Sequence, residues 1–231
     1  AYGYQPDGKL ATLTKTTGAV TNSVETRRYS PDGLLAGDKI TNGAGATLKD
    51  VAVDYDTQTG VAQPVTITDG NTNRGLIRNG GTWTGVTQGA AVRTVGTDLY
   101  GNVVNTTNQP LANATSYDPW GNPTGGTVNF NPTLGHRGEL GIDKLTNLRA
   151  RDYQPATANF TTTDPLPDVA GTPTQGNPYH YTNNNPTNTT DPTGMRPGDE
   201  EIDSSDQSCR LAGGDKRVLY KATGKLVCIV P

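Results

Sequence analysis

Apolar positions along this chain come in short groups that never run on. Thr, Val and Tyr, which favour the half-buried surface of a strand, alternate with frequent Gly, Pro and Asn, which punctuate turns. Pro or Gly interrupts nearly every window that reads as a helix. The pattern predicts an all-β fold of short strands and many turns. Four turn sequences stand out: Tyr4-Gln5-Pro6-Asp7-Gly8, Tyr29-Ser30-Pro31-Asp32-Gly33, Tyr55-Asp56-Thr57-Gln58-Thr59-Gly60 and Tyr117-Asp118-Pro119-Trp120-Gly121, with Asp98-Leu99-Tyr100-Gly101-Asn102 as a variant. Pro presets φ for the first corner of a β-turn, Asp bonds its own backbone, and Gly supplies positive φ. Each unit therefore reads as a hairpin turn, with the preceding Tyr packed on the sheet. Leu76–Gly81 through Val95–Val104 reads as further hairpins.

Composition agrees with this picture. The 231 residues include 29 Gly and 16 Pro, and only 32% are hydrophobic, yet the chain is long enough to bury a core. A net charge of −3 with scattered basic residues gives no nucleic-acid footprint. No apolar run approaches the roughly 18 residues of a membrane-spanning helix. His136 and His180 stand apart without a carboxylate cluster, so neither a protein metal site nor a cofactor is expected. Ala1-Tyr2-Gly3-Tyr4 carries no signal pattern and begins inside a repeat, which reads as a fragment whose targeting signals lie elsewhere.

Tyr4, Tyr29 and Tyr55 fall 25 and 26 residues apart, and such units need stacked neighbours to bury an apolar face. A second set of motifs follows them. Gly135-His136-Arg137-Gly138-Glu139-Leu140 leads into Leu148-Arg149-Ala150-Arg151-Asp152-Tyr153. Phe160-Thr161-Thr162-Thr163-Asp164-Pro165 comes next, then Tyr179-His180-Tyr181-Thr182-Asn183-Asn184-Asn185-Pro186, and last Asp191-Pro192-Thr193-Gly194-Met195. In order and spacing the chain resembles Rhs/YD-repeat proteins, most sharply over residues 135–195. The resemblance implies repeats coiling into a shell over residues 1–130, a core over 131–195 that plugs the shell and cuts its own chain, and a variable tail over 196–231.

Arg151, Asp152 and Asp164 match the family's residues implicated in aspartic-protease-like self-cleavage. Paired carboxylates suit peptide hydrolysis because two of them close together cannot both ionise comfortably: one activates water while the other, protonated, polarises the carbonyl. A guanidinium beside them holds one ionised and oriented. Asp191-Pro192-Thr193-Gly194 fits a type I turn, and the resemblance puts the cut after it, between Met195 and Arg196. Met195 stands where the family usually has Leu, a similar apolar volume. Ala158 and Asn159 replace a turn Gly and an Arg of the family, which bears on how the two acidic residues approach each other. Tyr179, Tyr181, Asn184, Asn185 and Pro186 read as structural, the two tyrosines sharing one strand face and Asn-Asn-Pro forming a bend.

The tail opens with acidic Gly198–Asp203 and continues with two short strands around Thr223-Gly224. Cys209 and Cys228 are candidates for a bridge that staples it. It reads as a truncated effector, a small disulfide-held peptide or a remnant. The resemblance implies as partners the chain's own C-terminal segment as cargo, the rest of the shell, and an immunity or delivery protein, with a secreted or cell-surface location. The other reading is a non-enzymatic YD-repeat surface protein for adhesion or carbohydrate contact, on the strength of its Tyr, Asn, Trp83 and Trp120. A third is an inactive relic that keeps the core fold.

Overall fold

A computed structural model describes residues 1–58, 61–79, 82–107, 114–126, 133–142, 144–165 and 176–195, together with the backbone of 216–220 and 225–229. The fold is all-β. Among the described residues there is no α-helix, only single 3-10 turns. Ten strands follow one another as an antiparallel meander in chain order: β1 (Tyr2–Tyr4), β2 (Leu10–Thr17), β3 (Val20–Tyr29), β4 (Leu35–Asn42), β5 (Thr47–Asp56), β6 (Gln63–Asp69), β7 (Thr72–Asn79), β8 (Thr82–Gln88), β9 (Ala91–Thr97) and β10 (Val103–Thr106). A small hairpin, β11 (Ser116–Tyr117) with β12 (Pro123–Gly125), comes next.

A second sheet of five strands is also a meander: β13 (Thr133–Leu134), β14 (Leu140–Ile142), β15 (Leu145–Leu148), β16 (Arg151–Gln154) and β17 (Asn159–Phe160). Beyond it, β18 (Lys216–Tyr220) pairs antiparallel with β19 (Lys225–Ile229), in line with the two strands expected of the tail. Arg196 and Cys209 lie outside the described residues, as does the side chain of Cys228, so neither the far side of the expected cut nor the bridge is described.

The repeat turns form as their chemistry dictates. In the second unit Ser30 N–H donates to Leu34 O and Gly33 N–H to Ser30 O, with Gly33 at φ 85°. In the last two units the Asp side chain takes over: Asp98 Oδ1 accepts from the amides of Tyr100 and Asn102, and Asp118 Oδ1 from those of Trp120 and Asn122, all at 2.9 Å. The turn units lie between β1 and β2, β3 and β4, β5 and β6, and β9 and β10, all at one end of the meander, with Thr59 and Gly60 of the third unit outside the described residues. That alternation explains the spacing of about 25 residues, which is one hairpin out and one back. Tyr29 and Tyr55 pack on the core as expected, whereas Tyr4 is 48% exposed and its hydroxyl donates to Thr161 O.

The five-stranded sheet lies on the inner face of the meander. Leu35, Val51, Val53 and Ile67 of the large sheet pack with Leu140 and Ile142 of the small one. Trp83, Val86 and Val103 pack with Leu134, and the Trp83 indole N–H donates to Gly138 O at 2.6 Å. Burial alternates along β5, where Val51 and Val53 point inward and Ala52 and Asp54 outward, as one buried face of a strand requires. Hydrophobic burial between the sheets is the main force fixing the core strands against the wall.

The two tyrosines expected on one strand face are not on one face. Tyr181 is buried, with its ring centroid 4.2 Å from that of Tyr153, while Tyr179 is 41% exposed. The reason is that residues 176–189 turn instead of extending. A single bridge joins His180 to Asn159, and Thr182, Asn183 and Asn184 all have positive φ, which breaks the period-2 alternation. Asn185 does brace the bend, accepting through its side chain from Asn188 Nδ2 at 2.7 Å, and Pro186 O accepts from the Arg137 guanidinium.

Candidate functional site

Strands β15 and β16 are joined by a two-residue turn, Arg149-Ala150, with Leu148 opposite Arg151 in register. Against this turn lies the segment Pro192–Met195. Three consecutive residues grip it. An Arg149 Nη1 donates to Pro192 O at 3.1 Å, the Ala150 amide to Thr193 O at 3.1 Å, and Arg151 to Gly194 O through Nε and to Met195 O through Nη2, the latter at 3.3 Å. The Arg-Ala-Arg sequence thus matches four successive carbonyls with donors on two side chains and one amide.

Residues Asp191–Gly194 close a β-turn: the Gly194 amide donates to Asp191 O at 3.2 Å, and the Met195 amide to Asp191 Oδ1 at 3.0 Å. Gly194 has φ +68°, and a Cβ there would come within 2.3 Å of Leu148 O and 3.0 Å of the Arg151 nitrogen. Only glycine satisfies both the left-handed backbone and the close approach.

Two carboxylates flank the Arg151 guanidinium. Asp164 Oδ2 lies 3.0 Å and Asp191 Oδ2 3.5 Å from the same Nη2 that reaches Met195 O. Nη1 donates to Pro178 O at 3.1 Å, and the guanidinium carbon sits 3.6 Å from the centre of the Phe160 ring. Burial works against the Arg151 charge and lowers its pKa, while Asp164 and Asp191 support the charged form. Beside Met195 opens a cavity of about 230 Å³, lined from the wall by Gly8, Lys9, Gly33 and Leu34 of two repeat turns.

Arg151 and Asp164 are therefore brought together, but Asp152 is not brought to them. Successive strand residues point to opposite faces. Asp152 faces the wall, where its carboxylate pairs with Arg27 of β3 and accepts from Asn147 Nδ2 at 3.0 Å. Arg27 also donates twice to Glu25 Oε1, at 2.8 and 3.0 Å, and Asp38 lies opposite Arg27 in the β3–β4 register. All four side chains are buried. Asp152 and Glu25 outweigh burial and hold the Arg27 pKa above its ordinary value. Burial, reinforced by Glu25, pushes Asp38 up to about 7.

The sequence pointed to Asp191 as a turn residue and missed it as a carboxylate. It also missed Arg27, Glu25 and Asp38. The available signal was Glu25 and Arg27 two apart in a strand, which puts both charges on one face.

Ala158, where the resemblance would have Gly, adopts φ 57° in the turn before β17. A left-handed backbone strains any residue with a Cβ by roughly 1–2 kcal/mol, offset in part by the greater entropy of glycine in the unfolded chain. Ala158→Gly is expected to raise stability by about 1 kcal/mol, read as a higher urea midpoint at unchanged slope.

No protein-family model matches the sequence, and no curated protein matches it closely enough to stand as a relative. Solved structures do match in fold. The crystal structure of TcdB2-TccC3 aligns with a TM-score of 0.60 at 18% identity, covering 84% of this chain and 10% of its own. TcdB2-TccC3 without its hypervariable C-terminal region gives 0.59 at 18% over the same shares, and TcdB2-TccC3-Cdc42 gives 0.57 at 16%. The chain has an Rhs-type fold. It spans about a tenth of the length of the chains it matches. At these identities the likeness concerns the Rhs-type fold alone. Among the described residues no helix is long and apolar enough to cross a membrane, and no group of His, Cys, Asp and Glu side chains is arranged to hold a metal.

Proposed function

We propose that the chain is part of an Rhs/YD-repeat shell whose core, residues 131–195, cuts its own backbone once between Met195 and Arg196. Residues 1–130 form wall, and the cut frees residues 196–231 and whatever follows as enclosed cargo. The observation that carries this reading is the contact of one guanidinium with the Met195 carbonyl and with two carboxylates, the half-buried Asp164 and the buried Asp191. A water adds to the Met195 carbonyl carbon, giving its proton to Asp164. Arg151 stabilises the oxygen that gains negative charge. Asp164 passes that proton to the Arg196 nitrogen as the C–N bond breaks, so the nitrogen leaves as an amine, Met195 keeps the water's oxygen in a carboxyl group, and Asp164 ends ionised as it began. Pinning the bond on the Arg149–Arg151 turn supplies the proximity that an intramolecular reaction exploits. The reaction runs once and consumes no outside substrate.

Delivery of such a protein outside its producer, and an immunity or delivery protein as partner, belong to this proposal. The likeness to TcdB2-TccC3 and TcdB2-TccC3-Cdc42 supports it by fold only. Adhesion or carbohydrate contact draws less support, because Trp83, one of the two tryptophans it relied on, is buried on the inner face of the wall against the core sheet.

The test is the intact mass of the full-length protein made under native conditions. Two species separated after Met195 are expected. One uncut mass would remove the self-cleavage reading and leave a structural shell protein.

A further inference from the structure

Arg149 is buried to 6% exposure, and it sits at φ 61° in the two-residue turn between β15 and β16. Its guanidinium reaches four partners in three segments at once. Nε donates to Ala62 O at 2.7 Å and Nη2 to Gln63 Oε1 at 2.8 Å, both at the β5–β6 return of the wall. Nη1 pairs with Glu139, at the start of β14, and also donates to Pro192 O at 3.1 Å. A guanidinium presents its five N–H donors in one rigid plane, so these four directions are fixed relative to one another. Displacing the wall return would displace the Pro192 carbonyl with it.

Pro192 lies three residues before the bond assigned to the cut, and the Gly194 and Met195 carbonyls downstream rest on Arg151. The Arg149 partners named above include neither Met195 nor the two carboxylates that flank Arg151. Its reach into the wall is a separate observation from the site chemistry. A residue serving only the core sheet would need no partner 86 residues upstream.

We infer that Arg149 is a positioning residue for the self-cleavage, which locks the Pro192–Met195 turn onto Arg151 and makes that alignment depend on the β5–β6 return of the wall. This rests on the self-cleavage reading above. An ammonium at the same place keeps the charge but not the planar fork. Misplacement of the reacting bond by about 1 Å costs on the order of 100-fold in rate, so a loss of at least about 10-fold is expected from partial misalignment.

The experiment follows the full-length chain after pulse-labelled cell-free synthesis, scoring cut and uncut protein against time at several pH values. Parent, Arg149→Lys, Arg149→Ala and Gln63→Ala are compared, and near-ultraviolet circular dichroism restricts rates to folded protein. Gln63→Ala removes one wall-side partner without leaving a buried charge alone, so it keeps the test open should the Arg149 variants fail to fold. Slower cutting is expected in all three variants, with the parent's pH profile unchanged. Added methylguanidinium is expected to restore part of the rate in Arg149→Ala. Folded Arg149→Lys and Gln63→Ala cutting at the parent's rate would overturn the inference while leaving self-cleavage intact. A shifted pH profile would also overturn it, since Arg149 would then belong to the proton chemistry. A parent that stays whole overturns both.

Discussion

Asp164→Asn is expected to give a single uncut chain where the parent gives two, with Arg151→Lys cut far more slowly than the parent. The two variants remove different parts of one arrangement. Asp164 lies 3.0 Å from the Arg151 nitrogen that reaches Met195 O, so its amide replacement keeps the shape and loses the group that takes the proton from water. General-base catalysis contributes typically about 10²–10⁴-fold. Lysine at 151 keeps a positive charge between Asp164 and Asp191 but cannot hold the Gly194 and Met195 carbonyls together. Losing one donor to a developing oxyanion costs about 10²–10³-fold. Lysine is the better probe than methionine, which would leave the buried Asp191 and the half-buried Asp164 without their cation and confuse rate with folding. Intact mass against time after synthesis separates the cases. Parent-like cutting in Asp164→Asn would remove Asp164 from the chemistry.

Local chemistry was legible in the sequence, and long-range pairing was not. The repeat turns form where Pro, Asp and Gly dictate them, because each depends on residues within five positions of one another. The Asp191 turn is of the same kind: its two closing bonds involve only Asp191, Gly194 and Met195. The all-β class followed from the same local signals. Asp152 is the counterexample. Its neighbour Arg151 is visible in the sequence, but strand alternation sends the two side chains apart, and its actual partner, Arg27, is 125 positions upstream. Nothing near Asp152 names that partner. Tyr179 and Tyr181 fail for the opposite reason. The period-2 argument was sound for a strand, but the asparagines after them take left-handed backbone and end the strand before it starts.

That divided placement gives the second large effect. Arg27→Met is expected to cost about 3–5 kcal/mol, since it strips the cation from a buried cluster and leaves Glu25 and Asp152 uncompensated. Asp152→Asn leaves Arg27 its contacts with Glu25 and should cost less. The Arg27→Met loss should also depend on pH in a definite direction. Asp38 is held at about 7 in the folded chain against 3.8 in the reference state. A carboxyl raised on folding favours the folded state fully below its unfolded pKa and loses that advantage as pH rises toward its folded one. Arg27 acts to lower the Asp38 pKa, so its removal raises that pKa further and deepens the loss as pH rises. Urea midpoints at pH 5 and pH 8 should therefore show the larger deficit at pH 8, and an equal deficit at both would mean that Asp38 does not titrate with the cluster. The same two variants decide what Asp152 does for the cut. If Asp152 only anchors β16 to the wall, Arg27→Met and Asp152→Asn slow cutting alike in folded protein, because each breaks the same pair from one side. If Asp152 takes part in the proton transfers itself, Asp152→Asn stays whole while folded Arg27→Met is still cut after Met195.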